Sequence, residues 1–175
     1  IGGYFGNLYL LDPLLGRILK YVPSDNAYTN PPSDYLKLHL DVDLTGAVDM
    51  TIDGNVYVLF ADGHILKFFN GEPRTFVMRG LPTPMRNPTT IFVSGSQDPD
   101  AEGYLYVTDS GNQRIVQFDK EGNYIRQFRD KSGESHLADL RGIYVREETG
   151  HMFILSGKTL WLTKLSPLGG AQGAE

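Results

Sequence analysis

Short runs of apolar and aromatic residues recur along this chain at a nearly constant spacing. One run has an aromatic residue at its centre and occurs four times, at 7–11, 55–59, 104–108 and 151–155. A second run follows each of these after a tight turn, at 17–21, 64–68, 114–118 and, more loosely, 159–162. Self-similarity at a period of about 48 residues indicates a repeat architecture.

Two further runs complete the repeat. One precedes the aromatic run at 47–52, 89–93 and 142–145, and another closes the repeat at 35–40, 74–78 and 124–128. All are short, rich in Val, Ile, Tyr and Phe, and bounded by Gly, Asp, Asn or Pro, which is typical of strands. Four such strands per repeat predict an all-β fold of β-propeller blades, with four four-stranded antiparallel repeats at about 1–42, 43–80, 81–130 and 131–165.

The apolar pattern also predicts how the blades pack. Neighbouring apolar residues such as Ile18 and Leu19 point to opposite faces of a strand, so both faces of a blade need cover. Stacked blades supply that cover. The aromatic residues that recur at one position in each repeat are therefore interpreted as scaffold between blades: Tyr9, Tyr57, Tyr106 and Phe153.

We expect both ends of the repeat array to be incomplete. The first repeat leaves only residues 1–4 for its innermost strand, and the last repeat ends near Leu165 after three strands. Residues 166–175 are interpreted as a disordered tail. We expect the chain to be the C-terminal four blades of a larger propeller, whose terminal blades expose the packing residues Leu8, Ile18, Leu160 and Leu162.

One repeat carries a recognisable motif. The stretch Gly103-Tyr-Leu-Tyr-Val-Thr-Asp109-Ser-Gly-Asn112-Gln-Arg114-Ile-Val-Gln-Phe118-Asp-Lys-Glu-Gly122 resembles an NHL repeat, the unit of typically six-bladed propellers. The resemblance implies a binding platform, often a C-terminal sensor or scaffold module. It also implies an alternative function, because some similar propellers are lyases or lactonases. In that case the chain would be part of such an enzyme, and the metal-binding residues of that enzyme would lie mainly in missing blades.

Charge and composition exclude several partners. The chain has 16 Lys and Arg against 21 Asp and Glu, a net charge of -5, so it lacks the basic surface that nucleic acids require. No run approaches 18 apolar residues, and no direct membrane insertion is predicted. There is no cysteine, and therefore no thiolate nucleophile or disulfide framework.

The candidate ligand site lies where loops gather. Loops between second and third strands share one end of a propeller with the blade linkers, and this end is the predicted functional face. The proline-rich linker 79–88 contributes Arg79, Met85 and Arg86, and the neighbouring turn contributes Arg114. These four residues are the predicted ligand-binding set, for an anionic or peptide ligand. The alternative is a rigid blade connection with solvated arginines.

Arg114 has a second interpretation. Asp109 and Arg114 straddle a tight turn with the same separation as Asp12 and Arg17. An ion pair that braces the turn explains both. Such pairs are taken as partly exposed, and they then contribute less than about 1 kcal/mol.

No pattern supports catalysis. The four histidines occupy four different structural positions, and no nucleophile elbow, phosphate loop or dinucleotide fingerprint occurs. The acidic segment 98–102 is interpreted as a solvated insertion, with calcium binding as the alternative. We therefore predict a non-catalytic module without cofactor or metal. Its predicted partners are a protein or peptide ligand, the missing blades of its own chain, or a second copy; Trp161 is a candidate interface contact.

Overall fold

The computed structural model describes residues 1–95, 100–166 and 168. They form fifteen strands and two short 3-10 turns, Ser110–Asn112 and Glu147–Thr149. The 166–175 tail therefore lies largely outside the described residues, as do Asp98 and Pro99 of the acidic insertion. Within the described ranges, no helix is long and apolar enough to span a membrane.

The strands form four antiparallel sheets in chain order, and these sheets are the blades of a propeller arrangement. Blade 1 contains β1 Gly2–Tyr4, β2 Asn7–Asp12, β3 Arg17–Tyr21 and β4 Ser33–Asp34. Blade 2 contains β5 Ala47–Ile52, β6 Asn55–Phe60, β7 Ile65–Phe69 and β8 Glu72–Arg74. Blade 3 contains β9 Pro88–Val93, β10 Tyr104–Asp109, β11 Arg114–Asp119 and β12 Tyr124–Arg129. Blade 4 contains β13 Leu140–Arg146, β14 His151–Ser156 and β15 Thr159–Lys164. The predicted all-β propeller fold is confirmed.

Three hydrophobic clusters join the blades. Each cluster unites the facing sides of two consecutive blades, with Tyr9 in the first, Tyr57 in the second and Tyr106 in the third. Since all three aromatic residues are buried, their predicted scaffold role is confirmed. Phe153, the fourth residue of that set, is half-buried and belongs to none of these clusters, so the prediction is wrong for it. No cluster among the described residues joins blade 4 to blade 1.

Two predicted outer strands are wrong. The run 35–40 forms bends and a turn, and strand β8 ends at Arg74, so 75–78 lies outside the sheet. The reason is that their apolar side chains pack between blades. Tyr35 and Leu36 contact the first cluster, and Phe76 and Met78 contact the second. An outer strand forms backbone hydrogen bonds to a neighbour on only one side. The burial of these apolar side chains between blades therefore outweighs the hydrogen bonds that continued pairing would add.

The turns between second and third strands define the upper end of the arrangement. In blades 2, 3 and 4 the turn donates a backbone hydrogen bond to the segment that enters the same blade. The pairs are Ala61 N to Gly46 O at 2.9 Å, Gly111 N to Arg86 O at 2.8 Å and Gly157 N to Asp139 O at 2.8 Å. Each blade linker is therefore anchored at the upper end.

Candidate functional site

The four predicted ligand residues do not gather at one place. The backbone of Arg79 pairs with the turn between β11 and β12, donating to Gly122 O and accepting from Tyr124 N, both at 2.9 Å. That turn lies at the lower end of blade 3. The linker then crosses to the upper end, where Arg114 binds Thr83. The expectation that the linker displays both arginines on one face is corrected accordingly.

Arg114 is fully buried, and its guanidinium is used within the protein. Its Nε donates to Asp109 Oδ2 at 2.7 Å, and both side chains are 0% exposed. Its Nη1 donates to Thr83 Oγ1 and Gln127 Oε1, and its Nη2 donates to the carbonyl oxygens of Thr83 and Pro84. All five N–H donors of an arginine have acceptors here. Arg114 thus fastens the linker to blade 3, and no donor remains for a ligand.

The equivalent pair in blade 1 is loose. Arg17 Nε lies 4.0 Å from Asp12 Oδ2, and the two side chains are 44% and 26% exposed. The two pairs differ in that Arg114 is also bound to Thr83 and Pro84 of the linker. The assumption of a partly exposed pair therefore holds for Asp12 and Arg17 but is wrong for Asp109 and Arg114.

Met85 belongs to the packing and not to an open surface. It lies three residues before Pro88, the first residue of blade 3, as Leu44 precedes Ala47 and Leu137 precedes Leu140. All three side chains pack into an inter-blade cluster. Gly63 accommodates Met85, because a Cβ at Gly63 would lie 2.9 Å from that of Met85.

Arg86 contributes its backbone to the turn and leaves its side chain exposed. Its N–H donates to Asp109 Oδ1 at 2.8 Å and its carbonyl accepts from Gly111. Of the predicted set, only Arg79 and Arg86 present exposed side chains, at opposite ends of the blade.

The blade junctions differ in what fills them. In the junction of blades 1 and 2, the linker adds Tyr35, Leu36, Val42 and Leu44 to the cluster. In the junction of blades 2 and 3, the linker adds Phe76, Met78, Leu81 and Met85. In the junction of blades 3 and 4, the linker 130–139 adds Leu137. This last junction therefore receives fewer apolar side chains from its linker and leaves an opening.

The open junction is a cavity of about 520 Å³, which we call the blade 3–4 groove. One wall comes from β12 and the other from β14 and β15. Its lining residues are Ile115, Gln127, Phe128, Arg129, Asp130, Lys131, His136, Leu137, Met152, Ile154, Trp161, Leu162, Thr163, Lys164 and Ser166. The mixture of apolar side chains with a few polar groups is typical of binding pockets.

A compact polar loop closes the upper end of the groove. Asp130 accepts hydrogen bonds from Ser132 N and Ser132 Oγ, both at 2.8 Å, and from His136 N at 3.2 Å. The His136 ring lies 2.9 Å from both Asp130 Oδ2 and Glu134 Oε2. Its centroid is 4.3 Å from the Trp161 ring. The loop therefore positions the aromatic side chain over the groove.

These hydrogen bonds change the acidity of Asp130. They lower the pKa of its carboxyl group from 3.8 to about 2, mainly through the backbone N–H and the hydroxyl of Ser132. The loop is therefore stabilised above pH 3.8, and this contribution is lost as the pH falls towards 2.

The groove is locally basic in an acidic protein. The lining residues include three basic side chains, Arg129, Lys131 and Lys164, and one carboxylate, Asp130. The net charge of the whole chain is -5. Lys131 and Lys164 are exposed to solvent. The rim therefore complements acidic groups on a ligand.

Strand β15 offers backbone groups beside the same groove. It pairs with β14 from His151 to Ser156, and no other strand of the described residues pairs with it. An unpaired edge presents alternating N–H and C=O groups to an incoming strand. Blades 1 to 3 each have a fourth strand at this position.

Sequence reasoning missed the groove, although a signal existed. Residues 130–136 read Asp-Lys-Ser-Gly-Glu-Ser-His and contain no apolar residue, whereas 35–44 and 76–85 each contain at least four. That difference distinguishes a linker that fills its junction from one that does not. Trp161, expected as an interface contact, lies in this groove.

The described residues contain no group of three or more His, Asp or Glu side chains arranged to bind a metal ion. Searches against models of known protein families and against curated proteins found no match.

Replacing Arg114 by Ala should lower the free energy of unfolding by about 3–5 kcal/mol, because it leaves Asp109 and the linker carbonyls buried without their cationic donor. Arg17→Ala is the matched control and should cost about 1 kcal/mol or less. Urea unfolding of both variants measures the difference. Equal, small costs would show that the buried network does not hold the linker.

Acidification should release the loop over the groove. Between pH 4 and pH 2, protonation of Asp130 removes the acceptor for Ser132 and His136, so the emission of Trp161, the chain's one tryptophan, should change. Asp130→Asn should remove this transition from a fluorescence titration. An unchanged titration in that variant would contradict the assignment.

Proposed function

We propose that this chain is a non-catalytic protein-binding module that takes an extended peptide in the blade 3–4 groove. The observation that carries the proposal is the contrast among the three junctions. Two are occupied by irregular segments of the chain itself, whereas in the third, among the described residues, the linker adds only Leu137 to the apolar floor.

The filled junctions indicate what kind of ligand fits. The segment 76–85 crosses its junction in an irregular course and places Phe76, Met78, Leu81 and Met85 against the blades. A peptide with apolar side chains at similar intervals would meet Phe128, Met152 and Ile154 in the open groove. Burying each large apolar side chain contributes roughly 1.5–3 kcal/mol before the cost of ordering the peptide.

The edge of β15, with which no second strand of the described residues pairs, supplies a second source of affinity. A peptide that pairs with β15 would become the fourth strand of blade 4. In strand addition, backbone hydrogen bonds provide affinity, while alternate side chains provide specificity. Acidic residues on the peptide would be placed near Lys131 and Lys164.

The NHL-like stretch 103–122 supports the same class of function. Family resemblance implies a propeller that acts as a binding platform, and fold alone does not define the ligand. We place the chain with NHL-like propellers as part of this proposal, on the motif residues from Asp109 to Gly122.

The test is selection of random linear peptides, displayed on phage, against the immobilised 175-residue chain. We expect enriched sequences to combine spaced apolar residues with Asp or Glu. A synthetic peptide of the enriched sequence should shift the emission of Trp161 on binding. Absence of any enriched sequence would contradict the proposal.

A pair of variants locates the binding site. Trp161→Ser should weaken the selected peptide about 30-fold, or about 2 kcal/mol, because truncating a central aromatic anchor removes much of the binding energy. Leu155→Ser is the control: Leu155 is as exposed as Trp161, at 39% against 38%, but lies on the opposite face of blade 4. Calorimetry should give unchanged affinity for the control. Equal weakening in both variants would place the peptide elsewhere.

A further inference from the structure

The side of each blade that faces the next blade carries one recurring apolar position. This position is the first aliphatic residue of the third strand, paired across the sheet with the second strand. In blades 1, 2 and 3 it is Ile18, Ile65 and Ile115, which are 0%, 5% and 0% exposed. In blade 4 it is Leu160, which is 66% exposed. The burial of Ile18 corrects the expectation that it lies on an exposed end.

Blade 4 therefore ends in an uncovered apolar face, which we call the tail face. Across its strands Phe153 pairs with Leu162 and Leu155 pairs with Leu160. Leu162 is 61% exposed, and Phe153 is partly buried. Contiguous exposed apolar surface of this kind marks interaction sites.

Blade 1 has an uncovered face on its other side, which we call the head face. Leu8 pairs with Tyr21 and Leu10 pairs with Leu19. In blade 2 the same positions are Val56, Val58, Leu66 and Phe68, which pack in the first cluster against blade 1. In blade 1 Leu10 is 37% exposed. The head face thus has the surface that elsewhere receives a preceding blade.

We propose that the tail face of one copy of this chain binds the head face of a second copy. The interface continues the three existing junctions, in which the same two kinds of face already pack together. Both faces are exposed within one molecule, so they do not cover each other there.

Two copies joined in this way form two equivalent head-to-tail contacts. Such contacts are heterologous, and they close into a ring when the rotation between copies permits. Two sets of four blades make an eight-blade ring, which is within the range of known propellers. The blade 3–4 groove lies mainly on the other side of blade 4, where Met152, Ile154 and Trp161 line it; Leu162 borders both surfaces.

The test is sedimentation of the 175-residue chain over a wide dilution series. We expect a dilution-dependent species of about twice the 19.5 kDa mass of one chain. The double variant Leu160→Asp with Leu162→Asp places two charges in the apolar tail face, and Leu10→Asp places one charge in the apolar head face. The matched control is Leu14→Asp with Leu38→Asp, because both leucines are 97% exposed and lie outside the two faces. Circular dichroism verifies that each variant is folded.

Mixing the variants distinguishes head-to-tail binding from other modes. Each face variant alone should sediment as a monomer, and the control should dimerise like the parent chain. A mixture of the tail-face and head-face variants should recover one contact and form a heterodimer. The proposal is overturned if the parent chain is a monomer throughout, if folded Leu10→Asp still dimerises alone, or if the mixture of variants stays monomeric.

Discussion

Each blade of this protein has two apolar faces, and it cannot bury either of them by itself. Strand β6 shows the constraint most clearly, since all six of its residues are buried although they alternate between the two faces. The cover comes from blade 1 on one side and blade 3 on the other. Stability is therefore a property of junctions between neighbours, as in other repeat proteins.

The segments between blades take part in these junctions. Where the outer strand is short, as in β4 and β8, the chain leaves the sheet early and its apolar residues fill the space between blades. Strand β12 instead runs its full six residues to the upper end, so the following linker stays there as a polar loop. The blade 3–4 groove follows from that single difference in strand length. Arg114 fixes the filled junction beside it, where its guanidinium holds the linker at Thr83 and Pro84.

Much of the fold could be predicted because the four repeats can be recognised in the amino-acid sequence. The spacing of Tyr9, Tyr57, Tyr106 and Phe153 indicates the number of blades, and the short runs rich in Val, Ile, Tyr and Phe indicate the inner strands. The outer strands could not be predicted as well. A run such as 35–40 has the same apolar alternation whether it pairs as a strand or packs between blades. Tertiary burial decided between these outcomes.

The candidate site was harder to predict than the fold. Arg114 and Arg17 have the same local spacing from an aspartate, but one pair is buried and the other is exposed. The linker contacts of Arg114 are made by residues distant in the sequence, so local spacing cannot predict them. The sequence predicts Met85 as a surface residue, because its equivalence to Leu44 and Leu137 depends on where each blade begins. The groove depends on the absence of apolar residues in 130–136. This absence can be recognised only when the composition of 130–136 is compared with that of the other two linkers.

Hydrogen exchange of the four third strands tests most directly whether neighbours stabilise each blade. The measurement compares β3, β7, β11 and β15 at a dilution where the chain is monomeric. Strands β7 and β11, which lie in blades covered on both sides, should exchange slowest. Strand β15, with exposed side chains and one unpaired edge, should exchange fastest. Exchange of β15 as slow as that of β11 would contradict the account, because it would mean that a blade needs no neighbour to be stable.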